Sequence, residues 1–241
     1  MNLQDLKERF YCDTKYNGTI VFYRWLREHA MRDYRVLNLG VGPTPDQPRR
    51  SLKGEVAEIV GADLDPEVLE NTELDRAVII RNGRIENETA SFDLIYSDYV
   101  LEHVEKPKEF LTEVYRLLKP GCSFFFRTPN IFHYVGLIST CTPHRLHEIV
   151  ANPVRGLPKD AHKPWPTYYR MNSRSRLERL ALEAGFAEIE LRMIEPNPSY
   201  LGFHVIPFMV GVAYERFVNS HPAFSGLRAN ILGRFKKGET S

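Results

Sequence analysis

The chain has 241 residues, a formal net charge of +1 and 26% charged residues, a balance that gives no support to a nucleic-acid or acidic-membrane partner. Its three scattered cysteines have no CxxC spacing, which argues against a disulfide scaffold or a zinc site and favours a reducing compartment. The N-terminus lacks the apolar core of a signal peptide, and the most apolar stretch, 205–213, is too short to span a bilayer, so we expect a cytoplasmic protein.

The first half of the chain alternates strand and helix signals. The apolar spacing of residues 19–31 predicts a helix ahead of the first strand. Short apolar runs predict four buried strands at 34–40, 58–65, 76–83 and 91–98. The clearest helix begins at Pro107 and ends at Lys119-Pro120-Gly121, and 122–130 predicts a fifth strand. This alternation indicates an open α/β sandwich, with a parallel sheet covered by helices on both faces.

Residues 129–172 are rich in proline, histidine and aromatic side chains and show no regular period. Long irregular segments inside compact domains are usually functional, so we expect an inserted lid or substrate wall here. A helix from Ser173 to Gly185, a strand at 187–195, a helix-like stretch at 203–217 and a last strand at 227–235 follow. We treat 1–241 as one domain with an N-terminal helical segment at 1–33. The apolar stretch 205–217 is interpreted as a buried or dimer-facing helix, and the protein as a monomer or homodimer.

The carboxyl ends of the predicted strands hold the unusual residues, and ligands of open α/β sheets bind there. The first strand ends at Gly40-Val41-Gly42, where two glycines allow the backbone to approach a ligand closely. The second strand ends at Asp63, 23 residues after Gly40. An acid at this spacing is placed to accept hydrogen bonds from both ribose hydroxyls. The pattern predicts a ligand that contains adenosine.

The prolines after the glycine pair bear on which adenosine ligand this is. A dinucleotide loop needs a third glycine, and that position is Pro45. A pyrophosphate also needs free N–H groups at the helix start, and neither Pro43 nor Pro45 has one. There is no GxxxxGK[ST] run. S-adenosylmethionine, which has adenine and ribose but no phosphate, fits these constraints.

Four motifs in order carry a family resemblance: "VLNLGVGP" (36–43), "GADLDPEVL" (61–69), the continuous segment 91–130, and a looser match at 173–195. With these motifs the chain resembles the class I S-adenosylmethionine-dependent methyltransferases of the small-molecule type, with a methyltransferase-11-like domain. The resemblance implies a Rossmann-like, mostly parallel seven-stranded sheet with a reversed final strand. It also implies in-line transfer of a methyl group to an oxygen or nitrogen of a small molecule, with S-adenosylhomocysteine as product.

The resemblance suggests residue roles as well. The glycine pair would line the methionine part of the cofactor, Asp63 would hold the ribose, and Leu64 would lie against the adenine. The implied cofactor-binding residues are Asn38, Gly40, Val41, Gly42, Asp63, Leu64, Asn82, Gly83, Ser97 and Asp98. Asn38 stands where the family usually has an acid, so the amino-acid end of the cofactor would be held differently. The prolines imply a short or displaced first helix.

His103, just past the fourth strand, would be a general base or would fill a structural position beside the cofactor. We take the substrate-binding candidates to be His133, Tyr134, Tyr168, Tyr169 and Arg170. His144 and His147, the latter followed by Glu148, have the spacing of metal ligands on one helical turn. No further ligand stands at a persuasive spacing from this turn, so no metal is predicted. Two alternatives stay open: a non-catalytic S-adenosylmethionine-binding protein, and an NAD-linked dehydrogenase on a similar sheet.

Overall fold

The computed structural model of the chain describes residues 2–43, 50–86, 88–136 and 165–239. The chain divides into two compact units. The first consists of Met1–Val21, Pro129–Thr167 and Met193–Asn230, and the second of Phe22–Thr128, Tyr168–Arg192 and Ile231–Ser241.

A seven-stranded sheet organises the second unit. Its strands are β1 (Arg35–Leu39), β2 (Glu58–Asp63), β3 (Arg76–Ile79), β4 (Phe92–Asp98), β5 (Leu118–Pro129), β6 (Phe186–Ile194) and β7 (Asn230–Lys237), in the order β3-β2-β1-β4-β5-β7-β6. The strands from β3 to β5 pair in parallel. The last strand, β7, runs antiparallel to β5. The N–H of Gly121, near the start of β5, donates to the carbonyl of Gly238, and the N–H of Asn130, just after β5, donates to the carbonyl of Ala229. The predicted fold class is therefore confirmed.

The α-helices that lie wholly within the described residues are α1 (Leu3–Tyr11), α2 (Gly18–Arg27), α3 (Pro107–Leu117), α4 (Arg174–Ala184) and α5 (Val205–Ser220). A capping box begins α1, in which the Asn2 side chain and the Asp5 side chain accept each other's backbone N–H groups. Pro107 begins α3, and Gly185 ends α4 in the left-handed conformation with a φ of 94°. The start of α3 and the end of α4 follow the predicted signals, whereas α3 ends at Leu117, before Lys119-Pro120-Gly121.

Several boundaries differ from the expectations. The third strand ends at Ile79, before the Asn-Gly turn, and α2 ends at Arg27. The fifth strand begins at Leu118 rather than at residue 122, because Gly121 adopts a φ of 76° and lets the strand continue through a kink. The described residues 50–57, after the glycine loop, contain no α-helix; residues 44–49, where a short or displaced first helix was predicted to begin, lie outside the described part. Of the segment 129–172, residues 137–164 lie outside the described part.

The first unit has a small apolar core of its own between α1 and α5. Leu6 of α1 packs with Phe208 and Val212 of α5. The opposite side of α5 is exposed, with Ile206 at 70% and Val210 at 61% of their full accessibility. The helix is therefore buried along one side only, which corrects the interpretation of 205–217 as a buried helix. The dimer-facing alternative stays a prediction.

Candidate functional site

The glycine loop at the carboxyl end of β1 has two residues in the left-handed region, Gly40 with a φ of 70° and Gly42 with a φ of 64°. A Cβ on Gly40 would overlap the side chain of Val100, so this glycine also permits a close approach between two strand ends. A Cβ on Gly42 would meet no described residue within 4 Å. No part of the described chain therefore covers the backbone on this side of Gly42.

The glycine loop is fastened to the end of β2. Asp63 accepts the Gly42 N–H at Oδ2, 2.8 Å away, and the Asp65 N–H at Oδ1, 2.9 Å away. Buried Asn71 donates to the Gly42 carbonyl at 3.0 Å. A carboxylate has about four acceptor positions, and the backbone uses two of them here. Asp63, which is partly exposed, therefore keeps capacity for two more donors.

At the end of β4, Asp98 is paired with Arg127 of β5. The guanidinium donates from Nε to Oδ1 and from Nη2 to Oδ2, both at 2.7 Å, in a bidentate pair. Arg127 is only 1% exposed. Its guanidinium carbon lies 4.4 Å from the ring centre of Tyr99 and 5.6 Å from that of Phe22. The charge of Asp98 is therefore compensated within the protein.

A small cavity of about 80 Å³ lies beside the glycine loop. Its lining consists of Tyr23, Asn38, Gly40, Val41, Arg50 and Asp98. Tyr23 comes from α2, and its hydroxyl bonds the Asp98 carboxylate; burial, together with that negative charge, raises its pKa. The cavity thus joins residues of α2, β1 and β4 with Arg50, which lies in the connection from β1 to β2.

The remaining cofactor candidates also lie in the second unit. Leu64 follows Asp63 and is 56% exposed, which leaves its side chain available to an apolar ring. Asn82 and Gly83 form an exposed turn with φ values of 52° and 72°. Ser97 is fully buried, and its hydroxyl has no hydrogen-bond partner among the described residues. The structure therefore brings Asn38, the glycine loop and Asp98 to one cavity, with Asp63 on the loop, but it does not expose Ser97.

Comparisons with known proteins agree with this geometry. A methyltransferase domain family matches residues 37–126, which include the glycine loop and β4. The ubiquinone biosynthesis O-methyltransferase of Paraburkholderia phymatum is 30% identical over 191 residues, which cover 73% of this chain and 74% of that protein. The chain belongs to the class I S-adenosylmethionine-dependent methyltransferases.

Solved methyltransferase structures share the fold at low identity. A possible histamine N-methyltransferase of Thermotoga maritima has a TM-score of 0.54 at 16% identity, over 97% of this methyltransferase and 95% of that chain. Phosphoethanolamine N-methyltransferase 2 of Haemonchus contortus, in complex with phosphomonomethylethanolamine and S-adenosylhomocysteine, has a TM-score of 0.55 at 18% identity. This methyltransferase spans 61% of that longer chain.

The residues of this methyltransferase fit S-adenosylmethionine, the cofactor of the family. The side of Gly42 that no described residue covers and the spare acceptor capacity of Asp63 suit a ribose. The polar cavity at Asn38 suits a group with its own donors and acceptors, because Asn38 is 93% buried and lines empty space. The cavity is far smaller than the 300–1,000 Å³ of pockets for whole ligands, so it matches one end of the cofactor.

The turn after β4 contains a buried carboxyl group. Glu102 lies in the short 3-10 helix Leu101–His103, and burial raises its pKa to about 7. Thr128 donates to its carboxylate at 3.1 Å, and Asn172 donates to the Thr128 hydroxyl at 2.6 Å. His103 is partly exposed on the same turn. Glu102 and His103 are thus consecutive residues of the turn just beyond the end of β4.

Three of the substrate candidates are fastened to this turn by their backbones or side chains. Tyr168 and Tyr169 donate their N–H groups to the Glu102 carbonyl at 2.7 and 3.2 Å. Arg170 donates to the Glu105 carbonyl at 2.6 Å, and its guanidinium carbon lies 5.2 Å from the ring centre of Tyr168. The C-terminal part of the segment 129–172 is therefore held against the end of β4.

The other two substrate candidates, His133 and Tyr134, belong to the first unit. His133 is buried, and its Nε2 lies 3.4 Å from Oε1 of buried Glu195. Its Nδ1 accepts the Val135 N–H at 3.4 Å. The rings of Tyr134 and Tyr214 lie 4.1 and 5.4 Å from the imidazole. Both nitrogens of His133 thus face protein groups.

Sequence reasoning did not single out Tyr23, Arg50, Glu102 or Arg127. Arg127 carries a detectable signal, since it is the only charged residue in the apolar run "FFFRTP", and a charge at that place needs a partner. Glu102 directly precedes His103, the candidate base, within the segment 91–130. Tyr23 and Arg50 carry no such signal, because they reach the cavity from an earlier helix and from the connection after the glycine loop.

Among the described residues, no group of three His, Cys, Asp or Glu side chains could hold a metal ion. His144, His147 and Glu148 lie outside the described residues. None of the helices in the described ranges combines the length and the apolar character that a membrane crossing requires.

Proposed function

We propose that the protein transfers the methyl group of S-adenosylmethionine to an oxygen or nitrogen atom of a small molecule by in-line displacement. The observation that carries this proposal is the contact of Asp63 with the glycine loop, at 2.8 Å from the Gly42 N–H. Through this hydrogen bond the Asp63 carboxylate holds the backbone of the glycine loop, and it has further acceptor positions for the ribose hydroxyls. The roles given above to the other cofactor candidates are part of the proposal.

The cofactor supplies a methyl group that its sulfonium already activates. The protein's share of the rate then comes mainly from holding and aligning the two reactants. A base near the acceptor removes its proton where the acceptor is a weak acid. We propose His103 for that task, because it is partly exposed beyond the end of β4 and an imidazole nitrogen can accept a proton. We propose Tyr168, Tyr169 and Arg170 as part of the acceptor wall, because they are held against the same turn.

The Asp63→Ala variant tests the ribose assignment. Calorimetric titration with S-adenosylhomocysteine should show affinity reduced about 10- to 100-fold, since hydrogen bonds to a charged group contribute roughly 1.5–3 kcal/mol. The matched control is Asp75→Ala. Asp75 also accepts a backbone N–H of β2, from Ile59 at 2.8 Å, but at the opposite end of the strand. Equal affinities in Asp63→Ala and Asp75→Ala would contradict the assignment.

Turnover is tested with labelled S-adenosylmethionine and a panel of phenols, catechols, carboxylic acids and primary amines. Both oxygen and nitrogen acceptors belong in the panel, because the similar proteins include an O-methyltransferase and an N-methyltransferase. We expect transfer to one class. Binding of S-adenosylhomocysteine without transfer to any acceptor would favour the non-catalytic alternative, and binding of NADH alone would favour the dehydrogenase.

A further inference from the structure

The charges around the cavity at the end of β1 do not balance. Asp98 and Arg127 form a bidentate pair, and the Tyr23 hydroxyl supplies a further hydrogen bond to Asp98. These contacts leave the carboxylate compensated. Arg50, the arginine that lines the cavity itself, brings a further positive charge. Counted over the residues that the structure describes, the cavity therefore has an excess of one positive charge.

Arg50 has no counter-ion in the part of the chain that the structure describes. It makes no hydrogen bond and no ion pair with any described residue, and it is exposed on its other side. Its positive charge is nevertheless felt at the Tyr23 hydroxyl, whose pKa it lowers against the larger effect of burial. Arg50 thus lines the cavity, and the N–H donors of its guanidinium form no hydrogen bond with any described residue.

Asn38 is the second uncommitted group. Its side chain is 93% buried, lines the cavity and forms no hydrogen bond with any residue in the described ranges. A buried carboxamide without a partner is costly unless a ligand or water supplies one. Because asparagine carries no charge, it does not add to the negative charge of the cavity as an acid would. It can donate to an anion and accept from a cation.

We propose that Arg50 is the counter-ion of the α-carboxylate of the cofactor, with Asn38 bonding the same amino-acid end. This inference rests on the proposed function. A carboxylate fits the guanidinium fork, and such charged pairs are stronger than neutral ones. The cavity therefore selects for the carboxylate of the methionine part, whereas an acid at position 38 would select for its ammonium group. The amino-acid end of the cofactor is held mainly through its negative charge.

The test compares two ligands that differ only in this carboxylate: S-adenosylhomocysteine and its decarboxylated analogue, 5′-(3-aminopropylthio)-5′-deoxyadenosine. Wild type should bind S-adenosylhomocysteine at least about 10-fold more tightly by calorimetry. In Arg50→Gln that preference should fall to within about twofold, because the affinity for S-adenosylhomocysteine falls while the affinity for the analogue, which has no carboxylate, does not. Arg50→Lys should keep part of the preference, because it keeps the charge without the fork.

The matched control is Arg32→Gln, an exposed arginine that precedes β1 at its opposite end. It should keep the full preference. Asn38→Asp should lower the preference, because its carboxylate repels that of the ligand and attracts the amine that both ligands carry. Thermal melting of each variant checks that the fold is kept.

Two results overturn the inference alone: a full preference in Arg50→Gln, or no preference in wild type while S-adenosylhomocysteine still binds. Failure of wild type to bind either ligand overturns the proposed function as well. Raising the salt concentration offers a further check, because Arg50 is exposed and its attraction is screened. The wild-type preference should decline with ionic strength, and the residual preference of Arg50→Gln should not.

Discussion

Replacing Glu102 by glutamine removes an ionisable group from a buried place without changing its shape. Burial raises the pKa of Glu102 from its ordinary 4.5 to about 7. Because the folded pKa lies above the unfolded one, the stability that the neutral carboxyl provides is fully present below pH 4.5. It is lost as the pH rises through about 7. At roughly 1.4 kcal/mol per pKa unit, the loss amounts to about 3 kcal/mol.

The assay is urea unfolding of wild type and Glu102→Gln at pH 5 and pH 8. From pH 5 to pH 8, the free energy of unfolding of the variant should rise by about 2–3 kcal/mol relative to that of wild type. A Gln side chain still accepts the hydrogen bond of Thr128, so the variant keeps the link from the turn after β4 to the end of β5. A stability difference that does not change with pH would refute the reasoning.

Glu88→Gln is the matched control with the opposite sign. The hydrogen bond from Arg35 lowers the pKa of Glu88 to about 2, with Arg76 as a further partner. The stability from this depressed pKa is present above pH 4.5 and is lost as the pH falls through about 2. Glu88→Gln should therefore destabilise the protein by about 3 kcal/mol at pH 8, where Glu102→Gln stabilises it.

Two further substitutions test the packing of the strand ends by urea unfolding. Gly40→Ala should lower the free energy of unfolding by more than Gly42→Ala does. Both positions suffer about 1–2 kcal/mol from a positive φ, but only the Cβ at Gly40 would overlap Val100; equal losses would contradict this. Asp98→Asn should cost about 3–5 kcal/mol, because it leaves the buried charge of Arg127 without a counter-ion. The double variant Asp98→Asn/Arg127→Met should recover much of that loss, and a cost below about 1 kcal/mol for Asp98→Asn would show that the pair is not essential.

The sequence by itself determined the fold class and the position of the glycine loop. Uninterrupted apolar runs mark strands that are buried on both faces, and the spacing from Gly40 to Asp63 is set by one strand-to-strand connection. Both are local properties of the chain, and so is the stop signal at Gly185. The bounds of the strands were predicted less accurately. Lys119-Pro120-Gly121 indicates a turn in the sequence, but β5 continues through these residues with a kink at Gly121.

Only the tertiary structure decided which side chains meet at the end of β1. Arg50 and Tyr23 reach the cavity from segments on either side of β1, and Asp98 reaches it from β4, which is β1's neighbour in the sheet but not in the sequence. The state of Asp98 depends on Arg127, one strand farther along. Periodicity and motif spacing report on neighbours along the chain, whereas the charge of this cavity depends on neighbours across the sheet. That Arg50 and Asn38 line this cavity without a hydrogen bond to any described side chain therefore becomes visible only in the folded protein.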